Sequence, residues 1–230
     1  SFIYIVLLYI IMKKYLFLIT FLISFLLLKK KKKESFTQKK KIIIIGNSPK
    51  ILESERGKEI DKFDKIVRFN TFEIKNFEEN VGTKTHIWFI NGVSIRKKNK
   101  KLMDKLKKVK CDKIYAETNT YDTINRLSNA NPSILKIKNL DFMDINIFKD
   151  TQKIYNPNGF NPHSSLGLRG IYQIAEKYPD YEIYIYGFDN FSSDKIHYMD
   201  DKKNDKIGHN SKLEKNFMNY LIKKYKIKKF

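Results

Sequence analysis

The sequence predicts a single α/β domain built around a doubly wound, mostly parallel β-sheet. Short β-branched runs alternate with helical segments along residues 41–230, and the sequence contains no internal repeat. The first run, residues 42–45, is isoleucine at every position, which is typical of a strand that is buried on both faces. It ends at Gly46-Asn47-Ser48-Pro49, the kind of turn expected where a strand passes into a helix of a Rossmann-like βα unit.

Local patterns predict the order of the remaining elements. We expect further strands at residues 65–69, 86–90, 113–116 and 182–186. We expect helices at residues 94–109, 123–127, 165–177 and 212–225. In such sheets, ligands bind in the crevice beyond the carboxyl ends of the strands, so the turns that follow the strands are the first places to look for a site.

The composition is strongly basic, with 46 Lys+Arg against 25 Asp+Glu and a formal net charge of +21 over 230 residues. A charge of this size is typical of nucleic-acid-binding proteins. However, ten of the lysines lie between Lys13 and Lys41, and arginine, which is favoured for contacts to bases and phosphates, is scarce. We therefore expect no nucleic-acid partner and keep a basic nucleic-acid-binding module as an alternative. The single cysteine, Cys111, excludes an intrachain disulfide.

The N-terminal segment, residues 1–28, is almost wholly apolar apart from Lys13 and Lys14. Met12 followed by two lysines and an apolar stretch has the layout of a signal sequence, and no small-residue cleavage site follows it. We interpret residues 1–28 as a hydrophobic helix that acts as an uncleaved signal anchor or transmembrane segment. Residues 29–40 are then an extended basic linker, and residues 41–230 the folded domain. This predicts a single-pass membrane protein, whose orientation the lysines on both sides of the segment leave open.

Small or amide side chains occur in three segments at the ends of predicted strands: Gly46-Asn47-Ser48, Arg68-Phe69-Asn70 and Gly187-Phe188-Asp189. Gly46 allows a phosphate or a sugar to approach the backbone closely. Asn47 and Asn70 each offer donors and acceptors, which suit a sugar or the edge of a base. The alternative is that the first of these segments is a tight turn without a ligand. It matches neither a Walker loop nor a dinucleotide-binding fingerprint.

The four histidines differ in their surroundings. His86 begins an apolar strand, which indicates a structural role, and His163 lies in a loop that allows either a structural or a functional role. His197 and His209 share a loop region with five aspartates, but the paired spacing typical of metal ligands is missing, so we expect no metal. A histidine is suited to remove a proton from a hydroxyl group near neutral pH. His209, which precedes the last helix, is the best candidate for such a base.

Four sequence motifs resemble those of the animal-type sialyltransferase family, and they occur in the family's order. Residues 45–48, 60–70 and 81–85 resemble the long sialylmotif. Residues 164–167 together with residues 185–188 resemble the short sialylmotif. His197-Tyr198 resembles the third motif, and His209 followed by Glu214 has the His-x-x-x-x-Glu spacing of the very short motif. Residues 208–211 also resemble bacterial sialyltransferases of a related fold.

The resemblance implies a sialyltransferase-type variant of the GT-A fold. It implies an inverting, metal-independent enzyme that uses CMP-sialic acid as the donor substrate and needs no cofactor. The nucleotide would be held by Asn47, Ser48 and Asn70. The donor pocket would be lined by Ser165, Gly167 and Gly187. The acceptor would be a glycan.

The two histidines of the later motifs take catalytic roles by the same resemblance. His197 would support the leaving phosphate, and His209 would take the proton from the acceptor hydroxyl. In such a single displacement, positioning and charge stabilisation supply most of the reduction of the barrier. The resemblance also implies that the anchor is of type II and lies in a Golgi-like or secretory membrane.

Three features depart from the family pattern. The family joins its long and short motifs by a disulfide, whereas residues 42–44 and Asp180 stand in the cysteine region here. Leu166 replaces a threonine, which removes one phosphate-facing hydroxyl, and the segment between the motifs is short. These departures leave the acceptor and the transferred sugar open. A non-catalytic, glycan-binding relative is a further alternative, against which the presence of His197 and His209 argues.

Overall fold

The computed structural model describes residues 2–35, 39–117, 122–159, 162–195, 197–200 and 208–230. The chain divides into two compact units, Ser1–Lys39 and Lys40–Phe230. Two of the five aspartates in the loop region of His197 and His209, Asp201 and Asp205, lie outside the described residues.

In the first unit the structure describes one helix, α1 (Phe2–Ser35). None of the helices among the described residues is long and apolar enough to cross a membrane. The expected single-pass membrane localisation is therefore wrong, and neither a transmembrane signal anchor nor the membrane as a partner is supported. The physical reason is that two lysines interrupt the apolar residues, and the uncharged residues 15–28 rise only about 21 Å as a helix. Helix α1 also continues through residues 29–35, where an extended linker was expected.

The second unit is built on a seven-stranded sheet. Its strands are β1 (Lys41–Ile45), β2 (Lys65–Phe69), β3 (Ile87–Ile90), β4 (Lys113–Ala116), β5 (Leu140–Phe142), β6 (Glu182–Tyr186) and β7 (Lys228–Lys229). They lie in the order β5-β4-β3-β2-β1-β6-β7, and every neighbouring pair is parallel. The prediction of a doubly wound, mostly parallel α/β sheet is confirmed.

Helices and short turns connect these strands. The helices are α2 (Gly57–Ile60), α3 (Glu78–Val81), α4 (Gly92–Arg96), α5 (Lys100–Lys108), α6 (Asp122–Ala130), α7 (Ile145–Tyr155), α8 (Leu166–Lys177) and α9 (Ser211–Tyr225). Two 3-10 turns lie at Pro49–Glu53 and Pro132–Lys136.

Both faces of the sheet are covered, as the run of isoleucines in β1 predicts. Successive side chains of a strand point to opposite faces. Ile42 and Ile44 therefore join an apolar cluster that includes side chains of α8 and α9, whereas Ile43 and Ile45 join a second cluster that includes Tyr198. All four isoleucines are almost completely buried. Each contributes about 1.5–3 kcal/mol through this burial.

The expected helix over residues 94–109 is broken in the structure. Lys98 has a left-handed φ of 50°. Asn99 then caps a new helix, since its Oδ1 accepts a hydrogen bond from Leu102 N at 3.0 Å. The segment therefore forms α4 and α5. Strands β5 and β7 were not predicted because they have three and two residues, too few to show an alternating pattern.

The strand order reverses at β1, which lies between β2 and β6. The chain continues from β1 towards β2 on one side and reaches the other side of β1 only with β6. A reversal of this kind separates the connections that follow the two strands and opens a crevice beyond their carboxyl ends. Gly46 directly follows β1 and Gly187 directly follows β6, so both glycines lie at the crevice.

Candidate active site

A cavity of about 310 Å³ lies beyond the carboxyl ends of β1, β2, β3, β4 and β6. It is lined by all eight residues that the sequence predicts for the site: Asn47, Ser48, Asn70, Ser165, Gly167, Gly187, His197 and His209. Other residues of the lining are Gly46, Asn91, Glu117, His163, Arg169, Phe188 and Phe191. The fold therefore brings side chains from both ends of the domain to one place.

Gly46 and Gly187 bring the ends of β1 and β6 into direct contact. Gly46 N donates to Tyr186 O at 2.8 Å, and Ser48 N donates to Gly187 O at 3.0 Å. A Cβ atom on Gly46 would lie 2.2 Å from Gly187 O, and Gly187 itself has a φ of +70°. Both positions therefore require glycine, and bare backbone forms this part of the cavity wall.

Asn47 and Asn70 each use one side-chain atom to fix their position. Asn47 Nδ2 donates to Phe69 O at 3.3 Å, and Asn70 Oδ1 accepts from Asn91 N at 3.0 Å. Asn70 also adopts a φ of 53°, which asparagine tolerates better than most residues. Among the described residues, Asn47 Oδ1 and Asn70 Nδ2 have no partner. One acceptor and one donor are thus left at the cavity for a ligand.

Tyr198 anchors the segment that carries His197. Its hydroxyl donates to Glu73 O, and its backbone N donates to Asn47 O at 2.8 Å. Burial raises the pKa of Tyr198 to about 12, so the hydroxyl keeps its proton at neutral pH. His197 Nδ1 lies 2.9 Å from Asp200 Oδ2. Because an ionised carboxylate only accepts hydrogen bonds, Nδ1 of His197 carries a hydrogen.

The start of α8 is tied to α9 by two hydrogen bonds. Glu214 accepts from Ser165 N and from Ser165 Oγ, both at 2.7 Å. Glu214 is 2 % exposed. This burial raises the pKa of its carboxyl above its usual value, while the bonds from Ser165 and, when it is protonated, the ring of His209 act in the opposite direction. Ser165 Oγ also accepts from Leu168 N at 3.4 Å, so Ser165 positions the first turn of α8 at the cavity.

His209 is held by contacts to two aromatic rings and one carbonyl group. Its ring stacks on Phe191, with centroids 5.3 Å apart, and meets the edge of His163 at 6.1 Å. Nδ1 of His209 lies 3.2 Å from His163 O. Since a carbonyl oxygen only accepts, Nδ1 carries a hydrogen, and the lone pair of the neutral ring is then on Nε2. Within the described part of the chain, this Nε2 has no partner.

His163 was left open by the sequence, and the structure places it in the cavity wall beside His209. Burial lowers the pKa of His163, and the charge of Arg169, together with that of His209 when His209 is protonated, lowers it further. His163 is therefore neutral at neutral pH. Its backbone carbonyl orients His209, and its ring fills space beside the ring of His209.

Asn91, Glu117 and Arg169 are among the cavity residues that were not predicted from the sequence. Asn91 follows β3 and Glu117 follows β4, at the same edge of the sheet as Asn47 and Asn70. A signal was available for these two, because each is the first polar residue after an apolar strand. Arg169 lies inside α8, and nothing in its local sequence distinguishes it from a surface arginine.

The fold and the cavity define a doubly wound α/β protein with its binding crevice at the topological switch point of the sheet. A comparison with protein families identifies the family within this class. The family model of glycosyltransferase family 29 (sialyltransferase) matches residues 11–226, and the chain belongs to this family. The resemblance found in the sequence motifs is thereby confirmed.

Curated relatives match this chain over short segments. It is 45% identical over 47 residues to the beta-1,6-galactosyltransferase GALT29A of Arabidopsis thaliana, covering 20% of this chain and 12% of the relative. It is 32% identical over 83 residues to sialyltransferase-like protein 2 of Arabidopsis thaliana, covering 36% and 18%. It is 34% identical over 62 residues to beta-galactoside alpha-2,6-sialyltransferase 1 of Mus musculus, covering 27% and 15%. The matched segments thus span less than a fifth of these relatives.

Solved structures match over most of the length of this chain. A mammalian sialyltransferase has a TM-score of 0.60 at 18% identity, with 83% of this chain and 68% of that chain covered. The sialyltransferase CstII from Campylobacter jejuni, in complex with the substrate analogue CMP-3FNeuAc, has a TM-score of 0.59 at 20% identity, with 83% and 81% covered. At this level of identity the likeness shows the fold, which is that of the sialyltransferases.

Proposed function

We propose that this chain is an inverting, metal-independent sialyltransferase that moves sialic acid from CMP-sialic acid to a hydroxyl group of a glycan. Membership of glycosyltransferase family 29 supports the reaction class. The observation that carries the proposal is the orientation of His209. Its Nδ1–H is bound to His163 O at 3.2 Å, so in the neutral ring the proton acceptor is Nε2, in a residue that lines the cavity.

His209 is the general base in this mechanism. The acceptor hydroxyl transfers its proton to Nε2 of His209, while its oxygen forms a bond to the anomeric carbon of the sugar. The bond from that carbon to the phosphate oxygen breaks, and CMP leaves with the electron pair. Because the oxygen attacks from the face opposite CMP, the anomeric configuration is inverted. A histidine that is neutral before the step is suited to this proton transfer.

The leaving phosphate is held by His197. With Nδ1–H directed to Asp200, a cationic His197 donates from Nε2 to the phosphate, and the Asp200 carboxylate balances the positive charge. The nucleotide lies against Asn47, Ser48 and Asn70. The free Oδ1 of Asn47 and the free Nδ2 of Asn70 supply one acceptor and one donor for it.

Small residues shape the rest of the donor pocket. A Cβ atom on Gly167 would lie 3.0 Å from the ring of Phe188, so a glycine keeps this ring close to the start of α8. Gly187 provides backbone without a side chain at the end of β6. Ser165 contributes by positioning the first turn of α8, since its hydroxyl is engaged by Glu214.

A second candidate function is the transfer of galactose from a nucleotide-activated galactose. The observation that favours it is the identity of 45% over 47 residues with a galactosyltransferase. The two functions share the fold and the base but differ in the donor. The carboxylate of sialic acid has no counterpart in galactose, so the donor pocket is the place where they can be told apart.

Thermal denaturation of the full chain with CMP and with UMP tests the nucleotide. Ligand at 100 times its dissociation constant adds about 2.7 kcal/mol to the free energy of unfolding. Transfer is then measured with CMP-sialic acid and with UDP-galactose on a set of glycan acceptors. Stabilisation by CMP together with sialic acid transfer is the expected result. Stabilisation by UMP with galactose transfer would establish the second candidate, and CMP binding without any transfer would indicate a non-catalytic glycan-binding relative.

A further inference from the structure

A buried ion pair, Glu117 and Arg169, lies in the cavity wall beyond β4. The side chains are 6% and 2% exposed, respectively. Glu117 Oε1 accepts a hydrogen bond from Arg169 Nη2, and Glu117 Oε2 accepts one from Gly92 N at 3.1 Å. Both carboxylate oxygens are therefore occupied by protein donors, and the pair is held in one place by the start of α4.

The guanidinium of Arg169 is satisfied on one side only. Its Nε contacts Ser165 O at 3.4 Å, and its Nη2 donates to Glu117. Its Nη1 is buried and has no hydrogen-bond partner among the described residues. A buried donor without an acceptor costs free energy, and native proteins contain few such groups. A charged donor of this kind in a cavity wall indicates an acceptor that arrives with the ligand.

We propose that Arg169, oriented by Glu117, binds the carboxylate of the donor sugar through Nη1 and so determines donor specificity. The inference rests on the proposed function and deepens it. A guanidinium is always protonated and matches the planar geometry of a carboxylate. Arg169 belongs to the first turns of α8, whose N-terminal end also favours negative charge. Galactose carries no carboxylate and leaves Nη1 without a partner, which disfavours it as the transferred sugar.

The pair could instead serve the fold alone. The guanidinium of Arg169 lies over the ring of Phe148, with Cζ 5.3 Å from the ring centroid, so packing inside the domain accounts for part of its burial. A structural pair stabilises the protein without distinguishing one ligand from another. The test must therefore measure how the protein discriminates between ligands, in addition to how tightly it binds them.

The experiment compares three ligands of the full chain by calorimetry: CMP, CMP-3-fluoro-sialic acid, and the carboxyl methyl ester of the latter. The parent protein is expected to bind the acid about tenfold more tightly than the ester. The double variant Arg169→Met with Glu117→Gln removes both charges together and so leaves no unpaired ion. It is expected to bind CMP as the parent does and to bind acid and ester equally. Arg96→Met, an exposed arginine of α4, is the matched control and should keep the parent's preference.

Each outcome decides the inference. A double variant that binds CMP normally and still prefers the acid as strongly as the parent would make the pair structural and overturn the proposal. If the double variant does not fold, the affinities of the parent protein still test the proposal. Equal affinity of the parent for the acid and the ester would overturn it. A preference of the parent protein for the ester over the acid would also overturn the proposal. A parent that binds neither CMP nor the analogue refutes the proposed function itself, a result distinct from the loss of discrimination.

Discussion

Glu214 accepts two hydrogen bonds from Ser165, from the backbone N and from Oγ, each at 2.7 Å. The two residues are 49 positions apart, and they join the first turn of α9 to the first turn of α8. His209 lies just before α9, and the cavity-lining residues of the short motif lie at the start of α8. The contact therefore fixes the distance between the proposed base and the proposed donor pocket.

The burial of Glu214 predicts a pH dependence of stability. The unfolded chain titrates near the usual value of 4.5, whereas the carboxyl in the folded protein has a raised pKa. Between these two values the folded state binds a proton that the unfolded state has lost, so this group's contribution to stability falls as the pH rises through that window. Glu214→Gln does not titrate. Its free energy of unfolding relative to the parent should therefore increase as the pH rises above 4.5, as measured by urea denaturation.

The control for this pH dependence is Glu55→Gln, which changes an exposed carboxyl. The difference in free energy of unfolding between Glu55→Gln and the parent should stay nearly constant over the same pH range. If the difference in free energy of unfolding between Glu214→Gln and the parent is equally independent of pH, the pKa of the Glu214 carboxyl is not shifted in the folded protein.

Gly46 and Gly208 form a matched pair for alanine substitution. In Gly46→Ala the new methyl group meets Gly187 O at 2.2 Å, so β1 and β6 must move apart at the cavity. We expect a loss of about 1–3 kcal/mol of stability, together with weaker CMP binding. Gly208→Ala places a methyl group where nothing lies within 4 Å, and its melting temperature should equal that of the parent. Equal melting temperatures for both variants would contradict the close approach of the two strands.

Asn70 can be tested without disturbing its backbone conformation. Asn70→Asp keeps the Oδ1 that accepts from Asn91 N and removes the Nδ2 donor proposed for the nucleotide. CMP affinity should fall by about 1–3 kcal/mol, because a ligand acceptor loses its partner and meets a negative charge. Asn76→Asp is the control, since Asn76 also has a left-handed φ, at 71°, but is exposed and outside the cavity lining. Calorimetry that finds the same CMP affinity in both variants would remove Asn70 from the nucleotide site.

The role of His209 can be separated from binding. His209→Ala should leave CMP affinity intact and lower turnover about a hundredfold to ten-thousandfold, the usual effect of losing one acid–base group. His197→Ala should slow transfer and also weaken donor binding, because its proposed partner is the phosphate. His86→Asn, outside the cavity lining, controls for the loss of a histidine and should turn over at the parent rate. A parent-like rate of His209→Ala at saturating donor and acceptor would show that another group is the base.

Transfer should not depend on a divalent metal. Within the part of the chain that the structure describes, no group of three His, Cys, Asp or Glu side chains is arranged to hold a metal ion. The Nε2–H of His197, proposed at the phosphate, supplies the charge stabilisation that a metal ion would otherwise provide. Transfer rates measured before and after treatment with a chelator should agree. Loss of transfer that a divalent ion restores would bring a metal into the mechanism.

Much of the fold follows from local patterns. Strands β2, β4 and β6 have the predicted bounds, because each is a short apolar run closed by turn residues. The motif residues, among them Asn47 and His209, could be singled out because the motifs keep their order and spacing. The break between α4 and α5 was missed, since the conformation of Lys98 is a single left-handed residue inside an otherwise helical pattern.

The sequence by itself determined the parallel α/β sheet, the family and the residues considered for the site, because these depend on periodicity and short motifs. The tertiary structure decided which side chains meet. Arg169 reaches Glu117 across 52 positions, and Ser165 reaches Glu214 across 49. Such pairs depend on strand order and on helix packing across the sheet. Local pattern carries no information about them, because each partner is placed by elements distant from it in the chain.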